Sequence, residues 1–323
     1  MSFQETDHFN NGVFFNPESA RAAGGRRRGG LLRLLRAKFS QNEEIWATWP
    51  KDVQNQTYPP PDPRMPSITW IGHSSFLLCL GGVNILTDPV FSKRCSPVSF
   101  AGPKRVRAPG MEIAALPRID LILLSHNHYD HLDLSSLRQI RRRFPEAQIV
   151  TGLGNAGFLA RKDLHRALEL DWWSSVNIGP VSITATPARH FAARTLWDRN
   201  RTLWVGFMIS YQGKRLYFAG DTGYTRYFSE IYEHFGAPDL ALLPIGAYKP
   251  RDMMASVHMD PQEAVQAFLA LRARRAVGMH FGTFQLTGEP IDEPPQKLKA
   301  ALAQSNIPEE QFFLLDVGET ALL

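Results

Sequence analysis

Residues 121–133 read LILLSHNHYDHLD, and this stretch decides the fold of the chain. Its first four residues form a short, continuous apolar run of the kind found in buried strands. Three His and one Asp follow within the next seven residues, in a chain that has only 10 His. A surface loop would rarely reach this density of ligand-type residues by chance. We therefore predict a metal centre at the end of a buried strand.

Other ligand-type residues also lie just beyond strand-like runs. His190 follows the run at residues 181–185, Asp221 follows LYFAG at residues 216–220, and His280 follows residues 277–279. A rigid sheet can fix side chains in such positions while a loop leaves them open to substrate. Strands dominate both halves of the chain, with helices interspersed, which predicts an α/β sandwich.

The residue types at these positions suit a catalytic metal centre with two ions. Neutral imidazoles and carboxylates bind Zn²⁺ or similar ions, and the two cysteines lack the paired spacing of a thiolate site. The predicted ligands are His126, His128 and His190 for one ion, Asp130, His131 and His280 for the other, and Asp221 as the bridge. We expect Zn²⁺ at both sites, and the same donors also suit Mn²⁺ or Fe²⁺.

The ligand motif and several unrelated loops together resemble one known family. The pattern H-x-H-x-D-H with the later His and Asp residues resembles the metallo-β-lactamase superfamily, which implies an αββα four-layer sandwich with the metals at one edge of two sheets. A closer similarity, over about residues 67–320, is to the N-acylphosphatidylethanolamine-hydrolysing phospholipase D family. It is carried by segments such as TWIGH at residues 69–73, LTDPVF at 86–91, FAGDTGY at 218–224 and HFGTF at 280–284.

This resemblance implies the same ligand assignment and adds a residue near the substrate. It implies that His258 lies close to the substrate phosphate, although from the sequence alone His258 could equally be an N-terminal residue of the following helix. The candidate catalytic residues are Asp221, His258 and Asp130. His73 and Asp88 are candidates to orient ligands or contact substrate, and for both of them a structural role in a turn stays open.

The predicted activity is that of a dinuclear metal-dependent hydrolase in lipid metabolism. We expect a phosphodiesterase of the phospholipase D type that acts on N-acylphosphatidylethanolamine or a related phospholipid. A hydroxide bridging the two ions would attack phosphorus. Two alternatives stay open: a lactonase that uses the same centre on a sugar-phosphate or acyl lactone, and a non-catalytic, metal-stabilised regulator of membrane permeability.

The first 66 residues differ in composition from the rest of the chain. We predict a basic N-terminal arm and a Pro-rich linker over residues 1–66, ahead of a hydrolase domain over residues 67–323. Between residues 21 and 38 there are seven Lys or Arg and no acidic residue. Such a stretch attracts anionic membranes, and a simply solvated arm is the alternative.

Composition limits the partners and the compartment. A net charge of +5 is too weak to argue for nucleic acid as a partner, so none is expected. The expected partner is a phospholipid or another small molecule, and a homodimer is compatible with the sequence. The two cysteines do not form a disulfide framework, and no apolar run approaches the ~20 residues of a membrane span. We predict a cytoplasmic protein, at most peripheral to the inner face of a membrane.

Overall fold

The computed structural model describes residues 3–18, 46–62 and 64–323. The basic stretch of residues 21–38 lies outside the described residues. The strands are β1 (Phe9–Asn10), β2 (Val13–Phe14), β3 (Ser67–Gly72), β4 (Ser75–Leu80), β5 (Val83–Thr87), β6 (Leu121–Leu124), β7 (Gln148–Gly152), β8 (Ala167–Leu170), β9 (Ser175–Ile178), β10 (Val181–Thr186), β11 (Gly206–Tyr211), β12 (Lys214–Phe218), β13 (Leu240–Pro244), β14 (Ala276–Met279), β15 (Phe312–Phe313) and β16 (Thr320–Leu322). The helices are α1 (Leu134–Arg143), α2 (Asn155–Ala160), α3 (Tyr227–Phe235), α4 (Arg251–Met254), α5 (Pro261–Leu271) and α6 (Glu293–Gln304).

The two seven-stranded sheets have the same arrangement of antiparallel and parallel strands. The first has the order β16-β3-β4-β5-β6-β7-β8 and the second the order β15-β14-β13-β12-β11-β10-β9. In the first sheet, β3 to β5 pair antiparallel and β5 to β8 pair parallel. In the second, β9 to β12 pair antiparallel and β12 to β15 pair parallel. The loops that leave the carboxyl ends of the parallel strands therefore collect at one edge of each sheet.

Strand β6 shows why helices must cover the outer faces of the sheets. All four of its residues are buried. Leu121 and Leu123 belong to the core between the two sheets, whereas Ile122 and Leu124 pack in a second core with residues of α1 and α2. This alternation is the two-residue period of a strand that is covered on both sides. Helices α3, α5 and α6 cover the second sheet in the same way. The αββα order confirms the predicted fold class.

Residues 3–18 pack on the sandwich instead of extending away from it. Strands β1 and β2 form a small hairpin, and Phe9 and Phe14 of this hairpin belong to the main hydrophobic core. These aromatic side chains explain why the segment docks, because burying each removes a large apolar surface from water. The predicted arm therefore does not describe residues 3–18. Residues 46–62 contain no helix or strand and run over the surface, where Trp49 Nε1 donates a hydrogen bond to the carbonyl of Glu289.

A buried histidine holds this N-terminal segment in place and makes its docking depend on pH. The His8 ring lies 2.7 Å from both Asp7 Oδ1 and Asp171 Oδ1 and stacks on Trp172. Burial acts to lower the pKa of His8, but the hydrogen bonds to Asp171 and Asp7 outweigh it and raise the pKa above the ordinary value of 6.5. A raised folded-state pKa stabilises the fold fully below the unfolded-state pKa, and the effect is lost as pH rises through the folded-state pKa.

We therefore expect the melting temperature to fall as the pH rises from about 6 into the alkaline range, and His8→Gln should remove this fall. The measurement is thermal unfolding of both proteins across this range, with His165→Gln at an exposed histidine as the matched control. The two melting curves should converge at high pH. If the wild-type protein and His8→Gln differ by a constant amount at every pH, the ion pair with Asp171 does not contribute as argued.

No helix within the described parts of the chain has the length and apolar character needed to cross a bilayer. The cytoplasmic location stays a prediction. Cys79 and Cys95 are both buried with free thiols, as expected for a chain without a disulfide framework.

Candidate metal centre

The predicted site residues come together at one edge of the sandwich. Segments after β3, β5 and β6 of the first sheet meet segments after β10, β12 and β14 of the second. They carry, in that order, His73, Asp88, the run from His126 to His131, His190, Asp221 and His280. His258 reaches the same place from the turn that precedes α5. The fold thus assembles every predicted ligand from both sheets.

Three imidazoles form the first group. His128 Nδ1 lies 2.8 Å from His126 Nε2 and 3.2 Å from His190 Nε2. One ring nitrogen from each residue lies within 4.8 Å of the others. The three nitrogens face a common point, as in the predicted first metal site.

The second group consists of one carboxylate and three imidazoles. Asp130 Oδ2 lies 3.4 Å from His131 Nε2, 3.4 Å from His280 Nε2 and 3.0 Å from His73 Nε2. The sequence predicts the first three of these residues as ligands. His73, which the sequence leaves between orienting a ligand or contacting substrate and a structural role in a turn, hydrogen-bonds Asp130 directly.

Asp221 lies between the two groups. Its Oδ2 atom is 3.1 Å from His131 Nε2 and 3.1 Å from His280 Nε2 in the second group. The same oxygen is 3.7 Å from His190 Nε2 and 3.9 Å from His126 Nε2 in the first. A carboxylate in this position can reach both groups, which is what the predicted bridge requires.

Several observations fit this site to divalent metal ions. His131 Nε2, His280 Nε2 and Asp221 Oδ1 are buried and have no hydrogen-bond partner, so they are free to bind an ion. Burial lowers the pKa of His128 to about 3 and that of His190 to about 4, so both rings are neutral donors. Burial lowers and Asp221 raises the pKa of His280, with a net rise to about 9. A positive charge is therefore favoured beside the buried carboxylates, and a metal ion would supply it.

Protein groups hold the far sides of the His131 and His190 rings. His131 Nδ1 lies 2.7 Å from Asp88 Oδ2, and the same carboxylate accepts hydrogen bonds from the backbone N–H and the hydroxyl of Ser125. His190 Nδ1 donates to the carbonyl of Val257, 2.9 Å away. These contacts fix the ring orientation and leave Nε2 facing the site, which is how outer partners tune metal ligands.

Backbone strain is concentrated at the same edge. His73, Asp88 and His280 adopt the left-handed region, with φ of 56°, 33° and 63°. Such conformations cost free energy and persist where surrounding structure enforces them, often at functional sites. Gly220, with φ of 59°, precedes Asp221, and a Cβ there would lie 2.7 Å from Ser125 Cβ. Only glycine lets the Asp221 loop approach the strand end that carries the histidine run.

His258 faces both the first group and the bridge. Its Nδ1 atom lies 3.9 Å from Asp221 Oδ2, and its ring centroid is 5.1 Å from that of His190. The side chain is buried, and Nδ1 has no hydrogen-bond partner. His258 thus lies within the site with one ring nitrogen that makes no hydrogen bond.

Arg194 is a positioning residue that sequence reasoning missed. Its Nη1 donates to the carbonyls of Asn127 at 2.7 Å and Leu132 at 2.8 Å, which lie at the two ends of the ligand run. The guanidinium also stacks on the Tyr129 ring at 3.9 Å, and the Tyr129 hydroxyl donates to the Arg194 carbonyl. A single side chain thus clamps the loop that carries His128, Asp130 and His131. Local sequence gives no signal for a tie across 62 residues.

Replacing Arg194 with Lys should lower metal affinity by about 10–100-fold, as for other outer partners of metal ligands. Lysine keeps the charge but lacks the planar guanidinium, which stacks on the Tyr129 ring and so holds Nη1 against both carbonyls. Chelator competition measures metal affinity, and hydrogen exchange should rise in residues 126–132. Arg161→Lys, at an exposed arginine, is the control. Equal metal affinity in Arg194→Lys and wild type would contradict the role of the clamp.

Comparison with known proteins identifies the family. A family model described as a β-lactamase superfamily domain matches residues 83–281. The chain belongs to the metallo-β-lactamase superfamily. Within this superfamily it is 35% identical to N-acyl-phosphatidylethanolamine-hydrolyzing phospholipase D 1 of Caenorhabditis elegans, over 96% of this chain and 92% of that protein. The family predicted from the sequence is thereby confirmed.

This metallo-β-lactamase superfamily member is also similar to a yeast enzyme and to a solved archaeal structure. It is 38% identical to the mitochondrial N-acyl-phosphatidylethanolamine-hydrolyzing phospholipase D of Saccharomyces cerevisiae, over 78% of this chain but only 55% of the yeast protein. A solved metallo hydrolase from Ignicoccus hospitalis superposes with a TM-score of 0.61 at 26% identity, covering 80% of this chain and 97% of that one. The superfamily member described here is a metal-dependent hydrolase with a His/Asp cluster able to bind metal.

Proposed function

We propose that the enzyme uses two divalent metal ions, with Zn²⁺ as the metal that best fits the donors, to hydrolyse the phosphodiester of N-acylphosphatidylethanolamine or a related phospholipid. The observation that carries the proposal is the position of Asp221, whose Oδ2 lies within 4 Å of imidazoles from both groups. The similarity to the worm phospholipase D, which covers nearly the whole of both chains, supports the choice of substrate.

The residues of the site would have separate roles in such a reaction. His126, His128 and His190 would hold one ion, Asp130, His131 and His280 the other, and Asp221 both. When bound, divalent ions lower the pKa of water and offset the negative charge on phosphoryl oxygens. Asp88, Ser125 and the Val257 carbonyl keep the ligand rings oriented. His73, hydrogen-bonded to Asp130, would orient that carboxylate toward His131 and His280.

His258 is the proposed contact for substrate. Its unpaired Nδ1 lies 3.9 Å from Asp221 Oδ2, and its ring adjoins the rings of His190 and His280. A ring nitrogen there can hydrogen-bond a phosphoryl oxygen or give a proton to the leaving oxygen, whichever atom lies within about 3 Å. The products expected of the phospholipase D reaction are a phosphatidic acid and an N-acylethanolamine.

A product assay by mass spectrometry tests the proposal. The purified, metal-loaded protein is offered N-acylphosphatidylethanolamine, plain phosphatidylethanolamine and a panel of acyl and sugar-phosphate lactones. We expect phosphatidic acid and N-acylethanolamine from the first substrate. Turnover of a lactone alone would reject the phospholipase proposal in favour of a lactonase. Metal analysis that finds less than about one equivalent per chain would favour a non-catalytic centre, because the proposed site needs two ions.

A further inference from the structure

Two loops beside the ligand run expose large apolar side chains to solvent. Phe100 is 80% exposed, Leu196 79% and Trp197 88%, the three highest values among the large apolar residues that the structure describes. Phe100 belongs to the loop between β5 and β6, and Leu196 and Trp197 to the loop between β10 and β11. Apolar side chains in this number at loop tips usually mark a surface that something covers.

The two loops border the same cavity. A cavity of about 620 Å³ is lined by residues 96–99 of the first loop and by Thr195 and Asp198 of the second. Its wall also includes Tyr129, which lies inside the ligand run. The exposed tips therefore flank one face of the molecule, and that face adjoins the metal centre.

Basic side chains surround this cavity. Lys93, Arg94, Arg138 and Lys162 line it, and none of the four makes an ion pair with a carboxylate in the described residues. Arg94 and Arg138 donate only to backbone carbonyls, those of Gly102 and Lys162. The surface thus offers unneutralised positive charge next to its apolar tips.

The acidic residues of the cavity are already engaged. Asp133 caps α1 and accepts hydrogen bonds from the Ser92 N–H and the Ser136 hydroxyl. Asp198 accepts from the backbone N–H groups of Arg194 and Thr195. Both carboxylates accept hydrogen bonds from the loop backbone, and neither forms an ion pair with any of the four cations, so the surface has a positive balance.

We propose that this surface, made of the tips Phe100, Leu196 and Trp197 and the four basic residues around the cavity, docks on a bilayer that contains anionic phospholipid. The apolar tips enter the headgroup region, where Trp is favoured because one part of the ring is apolar and the other polar. The cations meet lipid phosphates and carboxylates. This inference deepens the proposed function, on which it rests, by naming how the enzyme reaches a substrate that resides in a membrane.

Docking at this surface would bring the bilayer close to the candidate metal centre. Leu196 and Trp197 follow Arg194 by two and three residues, and Arg194 clamps the ligand run. The surface also differs from the basic stretch of residues 21–38 that the sequence analysis associates with membranes. A lipid contact through the loops places the edge of the sandwich, with its metal centre, against the bilayer.

The test is co-sedimentation of the full chain with vesicles of phosphatidylcholine, with and without phosphatidylserine. Wild type should bind the anionic vesicles, and the double variant Leu196→Ser, Trp197→Ser should bind them at least about tenfold more weakly, since two inserted side chains are lost. Leu269→Ser, at a 52% exposed leucine on α5, is the matched control and should bind like wild type. Equal binding by the double variant, or equal binding of wild type to both vesicle types, would overturn the proposal.

Two further measurements separate docking from catalysis and from protein contacts. Sedimentation velocity tests whether a second copy covers the tips: a dimer that the double variant breaks, without vesicle binding by wild type, would overturn the proposal. Hydrolysis of a short-chain, monomeric substrate should be the same in wild type and the double variant, whereas hydrolysis in vesicles should fall. Vesicle binding without hydrolysis would support docking and reject the proposed function. Hydrolysis of the monomeric substrate without vesicle binding would support the proposed function and reject docking.

Discussion

Asp221→Asn should reduce turnover by on the order of a thousandfold, the scale seen when a key electrostatic group of an active site is removed, and should leave the fold intact. The substitution keeps the shape of the side chain but removes its negative charge. The carboxylate oxygen Oδ2 lies within 4 Å of His126, His131, His190 and His280, and no other described carboxylate comes that close to both groups. An amide offers one oxygen and turns an N–H₂ toward nitrogens that should face a cation.

The measurement combines phosphodiester hydrolysis, metal content and circular dichroism. Asp163→Asn makes the same chemical change at an exposed aspartate after α2 and should behave like wild type. We expect Asp221→Asn to bind less metal and to keep a native spectrum. If the variant keeps its full activity, Asp221 does not hold the two groups together, and the assignment of the centre fails.

Asp88→Asn should lose about 10–100-fold in metal affinity, and activity should fall by a similar factor. The Asp88 carboxylate accepts hydrogen bonds from the Ser125 backbone, the Ser125 hydroxyl and His131 Nδ1. If the amide oxygen keeps the backbone bond, the N–H₂ faces His131 Nδ1. The imidazole must then carry its proton on Nε2, the atom that faces the metal site, because two donors cannot share a hydrogen bond.

A shift of the tautomer can be distinguished from loss of structure. Asp120→Asn is the control, because Asp120 also accepts a backbone hydrogen bond, from Asn84, but lies at the opposite end of β6. Metal titrations and the nitrogen chemical shifts of His131 should change in Asp88→Asn and not in Asp120→Asn. A protein that unfolds at a much lower temperature with an unchanged His131 tautomer would show that Asp88 ties a turn and does not orient a ligand.

The sequence allowed the ligand set and the fold to be predicted because both follow local rules. The apolar run at residues 121–124 is strand β6, and the strand-like run at residues 181–185 lies within β10. Strands that are short or partly exposed, such as β8 and β9, carry too weak a pattern to be seen. Strand β11 begins only at Gly206, because the backbone N–H of Val205 donates to the carbonyl of Ser125 in the site loop.

What the sequence could not reveal depends on contacts between distant parts of the chain. The clamp by Arg194, the docking of Phe9 and Phe14 and the positive φ of His73 and His280 all arise from tertiary packing. Periodicity and composition report only on neighbours along the chain. The ligand roles stay predictions, since closeness of donor atoms shows that a residue can bind an ion and a metal titration shows that it does.

Because the ligands come from two different sheets, metal binding is coupled to folding. His126, His128, Asp130 and His131 follow strand β6 of the first sheet, and His190, Asp221 and His280 follow strands of the second. Either half of the chain alone lacks a complete set, so an ion binds the assembled chain far better than the unfolded one. By mass action this adds about 4 kcal/mol of stability when free metal exceeds its dissociation constant about a thousandfold. Cells short of metal should therefore hold less of this protein, because chains that open at the shared edge are exposed to proteolysis.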